Sequence, residues 1–240
     1  METDRKSLIR RELISRRAAV SPQERLDWSE RIRAHLLALR SWREAERVLA
    51  YCSMPKEVAT QGILEAALRE GKQLFLPRCR VGCPHFEAVK VRDLAGDLEP
   101  GPLRNLMQPL ASLPALRGGE NGLKPALQTS ENGLKPTLRT GENGLKPALQ
   151  TSENGLKPAL QTSENGFDLV LVPGVAFDRL GHRIGFGAGM YDRFFDANPL
   201  PYRLALAFAF QVVDHIPAAA HDLPVHAILT QNGLVEIEFS

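Results

Sequence analysis

The stretch DLVLVPGVAFDRLGHRIGFGAGMYDRFF, residues 168–195, joins a short apolar run, a glycine-rich loop and a helix-compatible segment. Leu169 to Val172 is apolar and bounded by Pro173-Gly174, which predicts a buried strand rather than a helix. A loop follows, and Met190 to Ala197 predicts a helix that Asn198-Pro199 would end. Strand, glycine loop and helix in this order are typical of α/β domains that bind ligands where strands end.

The glycine-rich loop itself predicts an anion site. Gly185, Gly187 and Gly189 alternate with single residues just ahead of the helix, so the backbone can approach a ligand, and the free N–H groups of the helix start favour a phosphate. Arg183 adds a positive charge, and Asp192, one turn into the helix, offers a carboxylate for Mg²⁺. The pattern matches neither the dinucleotide nor the Walker motif, and glycines alone are equally compatible with a tight turn.

Composition limits the class of protein. The chain has 240 residues, of which 43% are hydrophobic and 24% charged, enough for one substantial core. No run approaches the roughly 18 apolar residues of a membrane span, and the N-terminal residues are charged where a signal peptide is apolar. A net charge of +2 gives no case for nucleic acid. We therefore expect a cytoplasmic monomer that binds small molecules, without a membrane or nucleic-acid partner.

The three cysteines are expected to be free thiols in a reducing compartment. Cys79, Cys83 and His85 are spaced closely enough to suggest zinc. A structural zinc site normally needs four ligands, however, and no second pair lies nearby in the sequence.

Helices and strands alternate along the rest of the chain. Residues 4–19 predict a helix with Leu8, Leu13 and Ile14 near one face, and Ser21-Pro22-Gln23-Glu24 predicts a capped second helix to about Arg40. The core residues expected in that second helix are Leu26, Ile32, Leu36, Leu37 and Leu39. Further strands are predicted at Val48–Ser53, Gln73–Leu76, Phe86–Val91, Arg203–Phe210 and Val225–Thr230. This alternation predicts a three-layer αβα fold with a mainly parallel sheet.

Residues 120–166 interrupt this pattern with an 11-residue repeat, beginning ENGLKPALQTS. Each unit contains a glycine and a proline, which together cost about 4 kcal/mol in a helix interior, so a continuous helix is excluded. The units have few large apolar side chains and no aromatic ones, which predicts a disordered insertion. A β-turn solenoid or a peptide-binding array is the alternative. Residues 1–119 and 167–240 are then expected to form one discontinuous domain.

The larger motif is more specific than its glycines. PGVAFD, then Gly181-x-Arg183-x-Gly185-x-Gly187-x-Gly189, then Tyr191-Asp192-Arg193 closely resembles the signature of the 5-formyltetrahydrofolate cyclo-ligase family, also called methenyltetrahydrofolate synthetase. The resemblance covers residues 5–109 and 168 to about 231. It implies an ATP- and Mg²⁺-dependent ligase that converts 5-formyltetrahydrofolate to 5,10-methenyltetrahydrofolate. In the mechanism that it implies, the formyl oxygen takes the γ-phosphoryl group, N10 closes the ring, and phosphate leaves.

The resemblance also implies a role for individual residues. From spacing alone, a solvated basic face is the favoured interpretation of Lys6 and Arg10, with a binding site as the alternative. By resemblance, ATP is bound by Lys6, Arg10, Arg183, Gly185, Gly187, Gly189, Met190 and Tyr191. The folate is bound by Met54, Glu57, Phe186 and Tyr191, the metal by Asp192 and Asp222, and Arg183 and Tyr191 are catalytic.

Four positions depart from the family pattern. Asn105 and Gln108 stand where glycine and glutamate are usual, Ala188 replaces a glycine or lysine, and His226 replaces an aspartate. These departures motivate a second hypothesis, a relative that binds nucleotide or folate without turnover. A third hypothesis is an interaction protein that uses its repeats.

Overall fold

A computed structural model describes residues 2–103, 106–116, 166–197, 201–217 and 222–237. Its helices are α1 (Glu2–Ala19), α2 (Pro22–Ala38), α3 (Arg40–Glu44), α4 (Gln61–Arg69) and α5 (Met190–Ala197). Its strands are β1 (Arg47–Leu49), β2 (Gln73–Cys79), β3 (Phe86–Val91), β4 (Leu98–Pro100), β5 (Met107–Pro109), β6 (Leu169–Val172), β7 (Ala176–Asp178), β8 (Arg183–Ile184), β9 (Tyr202–Leu206), β10 (Val212–Val213), β11 (Ala227–Thr230) and β12 (Gly233–Glu236).

Seven of the strands form one sheet in the order β12-β11-β9-β6-β1-β2-β3. The five inner strands run parallel, while β3 and β12 are antiparallel edge strands. A second sheet has the order β10-β7-β8, and β4 pairs with β5. The predicted α/β class with a large, mainly parallel sheet is confirmed.

Alternate side chains of the inner strands pack against different helices. Leu169, Leu171 and Leu204 share a buried cluster with Ile32 of α2 and Ile63 of α4. On the opposite face of the sheet, a second buried cluster contains Val170, Val172 and Ala205 together with Phe194 and Phe195 of α5. The sheet therefore has helices on both faces, and its strands are nearly all apolar because both faces are buried.

The N-terminal helices begin and end close to where the sequence predicts. Ser21 and Glu24 form the predicted capping box at the start of α2, which gives that helix a defined first turn. The prediction that Leu26 is a core residue is wrong, because its side chain is 56% exposed. Leu8 and Ile14 of α1 are also exposed, and Leu13 alone of the three predicted apolar residues is buried.

Three predicted strands are shorter than expected, one of them being Val225–Thr230, which becomes β11 and begins at Ala227. The run Val48–Ser53 becomes β1, which ends at Leu49, and the run Arg203–Phe210 becomes β9 followed by a 3₁₀ turn at Ala209–Gln211. Beyond β1 the backbone is held by a side chain instead of a strand, since the Thr60 hydroxyl donates to the Tyr51 carbonyl oxygen. After β9, the Phe208 backbone N–H likewise donates to the side-chain oxygen of Gln211.

The insertion with the repeats lies outside the described residues, apart from Gly166. The chain leaves the described part at Leu116 and returns just before Phe167. Both residues pack against the second core cluster, and the Phe167 ring lies 5.2 Å from that of Phe75 in β2. Both flanks of the insertion therefore belong to the same core.

Candidate functional site

The glycine-rich loop, residues 185–189, joins β8 to α5 as predicted. Gly187 and Gly189 have φ angles of +104° and +59°, in the region that glycine adopts most easily. At Gly185, a Cβ atom would lie 3.0 Å from Nη1 of Arg183. The glycines therefore permit the turn into α5 and leave room beside the guanidinium group.

Arg183 is held at the end of this loop. Its Nη2 atom donates to Oδ1 of Asp192 at 2.7 Å, and its guanidinium lies 5.6 Å from the centre of the Tyr191 ring. The Arg183 side chain is only 7% exposed. Because a partly desolvated charge interacts strongly with what is nearby, this arginine is placed to stabilise an anion beside the loop.

The inner face of α1 reaches the same loop. Lys6 Nζ donates to Oδ2 of Asp222 at 2.5 Å, and Arg10 Nε donates to the Gly185 carbonyl oxygen at 2.9 Å. One turn further, Leu13 is buried with Val175 and Ile184 of the second sheet. The structure thus places Lys6 and Arg10 on the inner face of α1 with the glycine loop and Asp222, and not on a solvated basic face.

Asp178 holds the second sheet in place. Its carboxylate is fully buried and accepts hydrogen bonds from the backbone N–H groups of Leu180, His182 and Ile216, while the His182 ring lies 3.0 Å from Oδ2. One charged group therefore fixes the turn between β7 and β8 and ties it to the segment after β10. Because β8 begins at Arg183, Asp178 also fixes the base of that arginine.

Glu57 lies in the loop between β1 and α4, and its side chain is buried. Oε2 accepts from the backbone N–H of Met54 at 2.9 Å, and Nη1 of Arg17 lies 3.9 Å from Oε1. Burial raises the pKa of the Glu57 carboxyl group, while the Met54 hydrogen bond and the Arg17 charge oppose that rise. Glu57 and Met54 are thus in contact through this hydrogen bond, and the charge on Glu57 depends on its neighbours.

Tyr191 lies against Arg183 and close enough to Glu57 to interact with its charge. Its ring packs on Phe86 and Phe195, and its hydroxyl is buried without a hydrogen-bond partner among the described residues. Burial raises the pKa of Tyr191, with Arg183 opposing and Glu57 adding to the rise. The phenol therefore stays neutral at physiological pH and keeps a proton to donate.

The two predicted metal ligands are carboxylates paired with cations, Asp192 with Arg183 and Asp222 with Lys6. Within the described ranges there is no group of three or more His, Cys, Asp or Glu side chains arranged to hold a metal ion, which applies also to the cluster of Cys79, Cys83 and His85. A site that offers only two carboxylates is nevertheless compatible with Mg²⁺. This ion commonly takes one or two protein oxygens and completes its shell with water and phosphate.

The departures from the family pattern have different structural settings. Gln108 accepts a hydrogen bond from the Cys79 backbone N–H through Oε1, so the amide supplies the acceptor oxygen that a glutamate would supply. His226 accepts from the Arg203 backbone N–H and stacks on Tyr202, and burial lowers the pKa of its imidazole to about 4. Asn105 lies outside the described residues.

Sequence reasoning missed two residues of this region. Arg17 is 5% exposed and lies beside Glu57, and Asp178 is the buried anchor of the second sheet. A signal for Arg17 was present in the spacing of α1, since positions 6, 10, 13 and 17 follow the period of one helix face. Asp178 stands inside the motif, but nothing in its sequence context separates a buried acceptor from a surface turn residue.

The family model described as "5-formyltetrahydrofolate cyclo-ligase family" matches residues 2–231. The 5-formyltetrahydrofolate cyclo-ligase of Mus musculus is 28% identical over 233 residues, covering 94% of this chain and 93% of its own. The protein of the same name from Saccharomyces cerevisiae is 29% identical over 200 residues, which cover 80% of this chain and 78% of the yeast protein.

A solved structure has the same fold. The NMR structure of 5,10-methenyltetrahydrofolate synthetase from Aquifex aeolicus aligns with a TM-score of 0.69 at 24% identity, covering 98% of this chain and 94% of the other. Within the part of the chain that the structure describes, no helix combines the length and apolar character needed to cross a membrane.

Proposed function

Because this chain belongs to the 5-formyltetrahydrofolate cyclo-ligase family, we propose that it converts 5-formyltetrahydrofolate to 5,10-methenyltetrahydrofolate with consumption of ATP. The observation that carries the proposal is that Arg10 donates to the Gly185 carbonyl oxygen and Arg183, just before the glycine-rich loop, pairs with Asp192 just after it. Lys6 lies one turn from Arg10 on α1 and pairs with Asp222. These three cations and the loop N–H groups suit a polyphosphate. Cyclo-ligase activity of this kind is also what the full-length relatives indicate.

The proposed reaction needs positioning and charge neutralisation more than a nucleophilic side chain. Transfer of the γ-phosphoryl group to the formyl oxygen activates the formyl carbon, N10 attacks that carbon, and phosphate leaves as the ring closes. Arg183, buried at the end of the loop, stabilises the charge on the transferred group. Tyr191 keeps its phenol proton and donates a hydrogen bond to a reacting oxygen. These two residues are the proposed catalytic ones.

The nucleotide and the folate occupy opposite ends of the proposed site. Lys6, Arg10 and the loop from Gly185 to Gly189 bind the phosphates, and Met190 and Tyr191 at the start of α5 complete the ATP site. Met54, Glu57, Phe186 and Tyr191 bind the folate. Support comes from the buried Glu57 carboxylate and from Phe186, an aromatic ring that is 39% exposed beside the loop.

Asp192 and Asp222 are the proposed holders of Mg²⁺. The ion, when bound, neutralises charge on the phosphates and so favours phosphoryl transfer. Each carboxylate is paired with a cation that we assign to the phosphates. These two ion pairs support the proposal, because each puts a carboxylate next to a cation assigned to the phosphates.

The purified chain tests the function directly. Incubation with 5-formyltetrahydrofolate, ATP and Mg²⁺ should give a product that absorbs in the near ultraviolet, and omission of ATP or Mg²⁺ should abolish it. Binding of ATP and folate without product in the complete mixture would instead support the non-catalytic alternative. The departures at Ala188 and His226 make that control informative.

Replacing Lys6 or Arg10 by alanine should raise the KM for ATP by about tenfold or more and leave the KM for folate almost unchanged. A charge-assisted contact contributes about 1.5–3 kcal/mol, and about 1.4 kcal/mol corresponds to tenfold. Arg11→Ala, an exposed neighbour on the same helix, is the matched control and should behave like wild type. Steady-state kinetics with each substrate varied in turn provide the measurement. A rise confined to the folate KM would contradict the assignment of both residues.

We infer further that residues 1–119 and 167–240 form one three-layer domain and that the repeats are an insertion within it. The packing of Leu116 and Phe167 on one core cluster supports this inference. Cytoplasmic location, a monomeric state and the absence of membrane and nucleic-acid partners stay predictions.

Deletion of residues 120–163 should leave the melting temperature and the activity almost unchanged. The segments on either side enter the same core, so a short link can join them, and loop entropy changes by only about 0.6 kcal/mol per doubling of length. Thermal melts and the cyclisation assay on the shortened chain measure the effect. A fall of many degrees, or loss of activity, would mean that the repeats are part of the folded enzyme. Capture of a specific partner by the repeat peptide alone would support the interaction alternative.

A further inference from the structure

Three cations of α1 face inward, and the proposed function uses only two of them. Lys6 and Arg10 contact Asp222 and the glycine loop, while Arg17 lies further along the same helix face. At 1.5 Å per residue, Arg17 is about 16 Å from Lys6 along the axis. Its side chain lies beside Glu57 and Phe186, two residues that the proposed function assigns to the folate. An arginine that is 5% exposed needs a reason to be buried, because burial of a charge is costly.

Arg17 has a carboxylate and an aromatic ring as neighbours. Nη1 lies 3.9 Å from Oε1 of Glu57, and the guanidinium carbon lies 5.2 Å from the centre of the Phe186 ring. The first distance is too long for a hydrogen bond. Arg17 thus acts on Glu57 through charge while Oε1 keeps its lone pairs for another donor. The second distance is typical of a cation packed on an aromatic face.

The charge on Glu57 depends on groups from three elements. Arg17 of α1 favours the ionised carboxylate, whereas Tyr51, just after β1, and Tyr191 of α5 are buried phenols that supply no positive charge. Burial alone raises the pKa of Glu57, and on its own chain segment only the Met54 N–H opposes that rise. Among the described residues, Arg17 is the cation whose charge favours the ionised form of this carboxyl group.

We propose that Arg17 is a positioning residue for the folate, which keeps Glu57 ionised with Oε1 open to the substrate and holds Phe186 beside it. The inference rests on the proposed function. The pterin ring carries an N–H and an amino group side by side, and an ionised carboxylate accepts both hydrogen bonds. A protonated Glu57 has one fewer acceptor and binds this pair less well. Arg17 therefore sets how well the enzyme binds folate at neutral and acidic pH.

The first test is binding and kinetics of Arg17→Met at pH 6 and pH 8.5. Loss of the charge raises the pKa of Glu57, so the ionised fraction falls as the pH falls. We expect folate affinity about tenfold weaker than wild type at pH 6 and much closer to wild type at pH 8.5, with the KM for ATP unchanged at both. Affinity for 5-formyltetrahydrofolate is measured by titration calorimetry as well as from the KM. Arg17→Lys, which keeps the charge, should recover most of the affinity.

Arg16→Met is the matched control, because Arg16 is the adjacent residue on α1 and is exposed, with its guanidinium over Phe210 instead of Phe186. Its folate affinity should equal that of wild type at both pH values. Melting temperatures of all variants show whether they are folded. If Arg17→Met does not fold, folate affinity at the two pH values is compared between Arg17→Lys and wild type. The folate affinity of Arg17→Lys should then stay within a few fold of wild type at both pH values. A loss of affinity in Arg17→Lys that does not depend on pH would overturn the proposal.

A double-mutant cycle with Glu57→Gln tests whether Arg17 acts through Glu57. In the Glu57→Gln background, Arg17→Met should change folate affinity by less than about twofold, because no carboxylate remains to be kept ionised. An equal loss in both backgrounds, or one independent of pH, would show that Arg17 is merely structural. If wild type neither binds nor converts the folate, the proposed function fails. If wild type does both and Arg17→Met matches it at pH 6, only the role of Arg17 fails.

Discussion

Methionine in place of Arg183 should lower kcat/KM for the cyclisation by about a hundredfold or more, the usual cost of removing one group that stabilises charge in a transition state. The Arg183 side chain is 7% exposed and donates to Asp192. Its charge is therefore partly removed from water and lies where the proposed phosphoryl transfer takes place. Methionine keeps a similar length and packing against Tyr191 but removes the charge and every N–H donor.

Steady-state kinetics of this variant should show the loss mainly in kcat, because Arg183 is assigned to the transition state and Lys6 and Arg10 also bind the phosphates. Arg179→Met is the matched control, since Arg179 is an exposed arginine in the turn before β8. Wild-type kcat/KM in Arg183→Met, with the melting temperature unchanged, would remove Arg183 from the reaction.

Alanine in place of Asp178 should cause the largest loss of stability among single changes in the second sheet. The substitution leaves the N–H groups of Leu180, His182 and Ile216 without their acceptor. A buried donor that loses its partner costs about 1–3 kcal/mol. Only the Ile216 hydrogen bond is fully buried, whereas those of Leu180 and His182 are part-buried, so we expect a total in the lower part of the summed range, about 3–5 kcal/mol. For a domain of this size, that corresponds to a fall of about 10 °C in melting temperature.

Calorimetry of Asp178→Ala and Asp178→Asn measures this effect. Asparagine keeps one acceptor oxygen and should lose less stability than alanine. Asp27→Ala provides a comparison, because Asp27 is an exposed carboxylate on α2 that accepts from Gln23, and it should change the melting temperature by about a degree or two. A similar small change in Asp178→Ala would mean that its hydrogen bonds contribute little.

The sequence was most informative where one local pattern determines one element. The apolar run at Leu169–Val172 and the capping box at Ser21 need only neighbouring residues, and both appear as predicted. The second sheet was missed because its strands are two or three residues long, too short for an alternating pattern. What holds that sheet is a contact between Asp178 and Ile216, 38 residues apart, which no local pattern can indicate.

In the candidate site, too, some residues could be predicted from the sequence and others could not. Resemblance to the family named Lys6, Glu57 and Asp222, and the structure brings Lys6 together with Asp222. Arg17 was missed because an arginine on a basic helix is usually exposed. Leu26 was assigned to the core for the converse reason, since its place in an apolar pattern does not tell which side of α2 is covered.

Two cations in the proposed phosphate site already have an internal carboxylate beside them, Asp222 for Lys6 and Asp192 for Arg183. An anion that binds these cations competes with groups that are tethered to the same chain and therefore present at high effective concentration. A triphosphate makes several contacts at once and can therefore displace the carboxylates from the cations. Inorganic phosphate makes fewer contacts, so after turnover Asp222 and Asp192 pair again with Lys6 and Arg183 and displace it. In the proposed reaction, the two ion pairs thus favour product release and limit inhibition by orthophosphate.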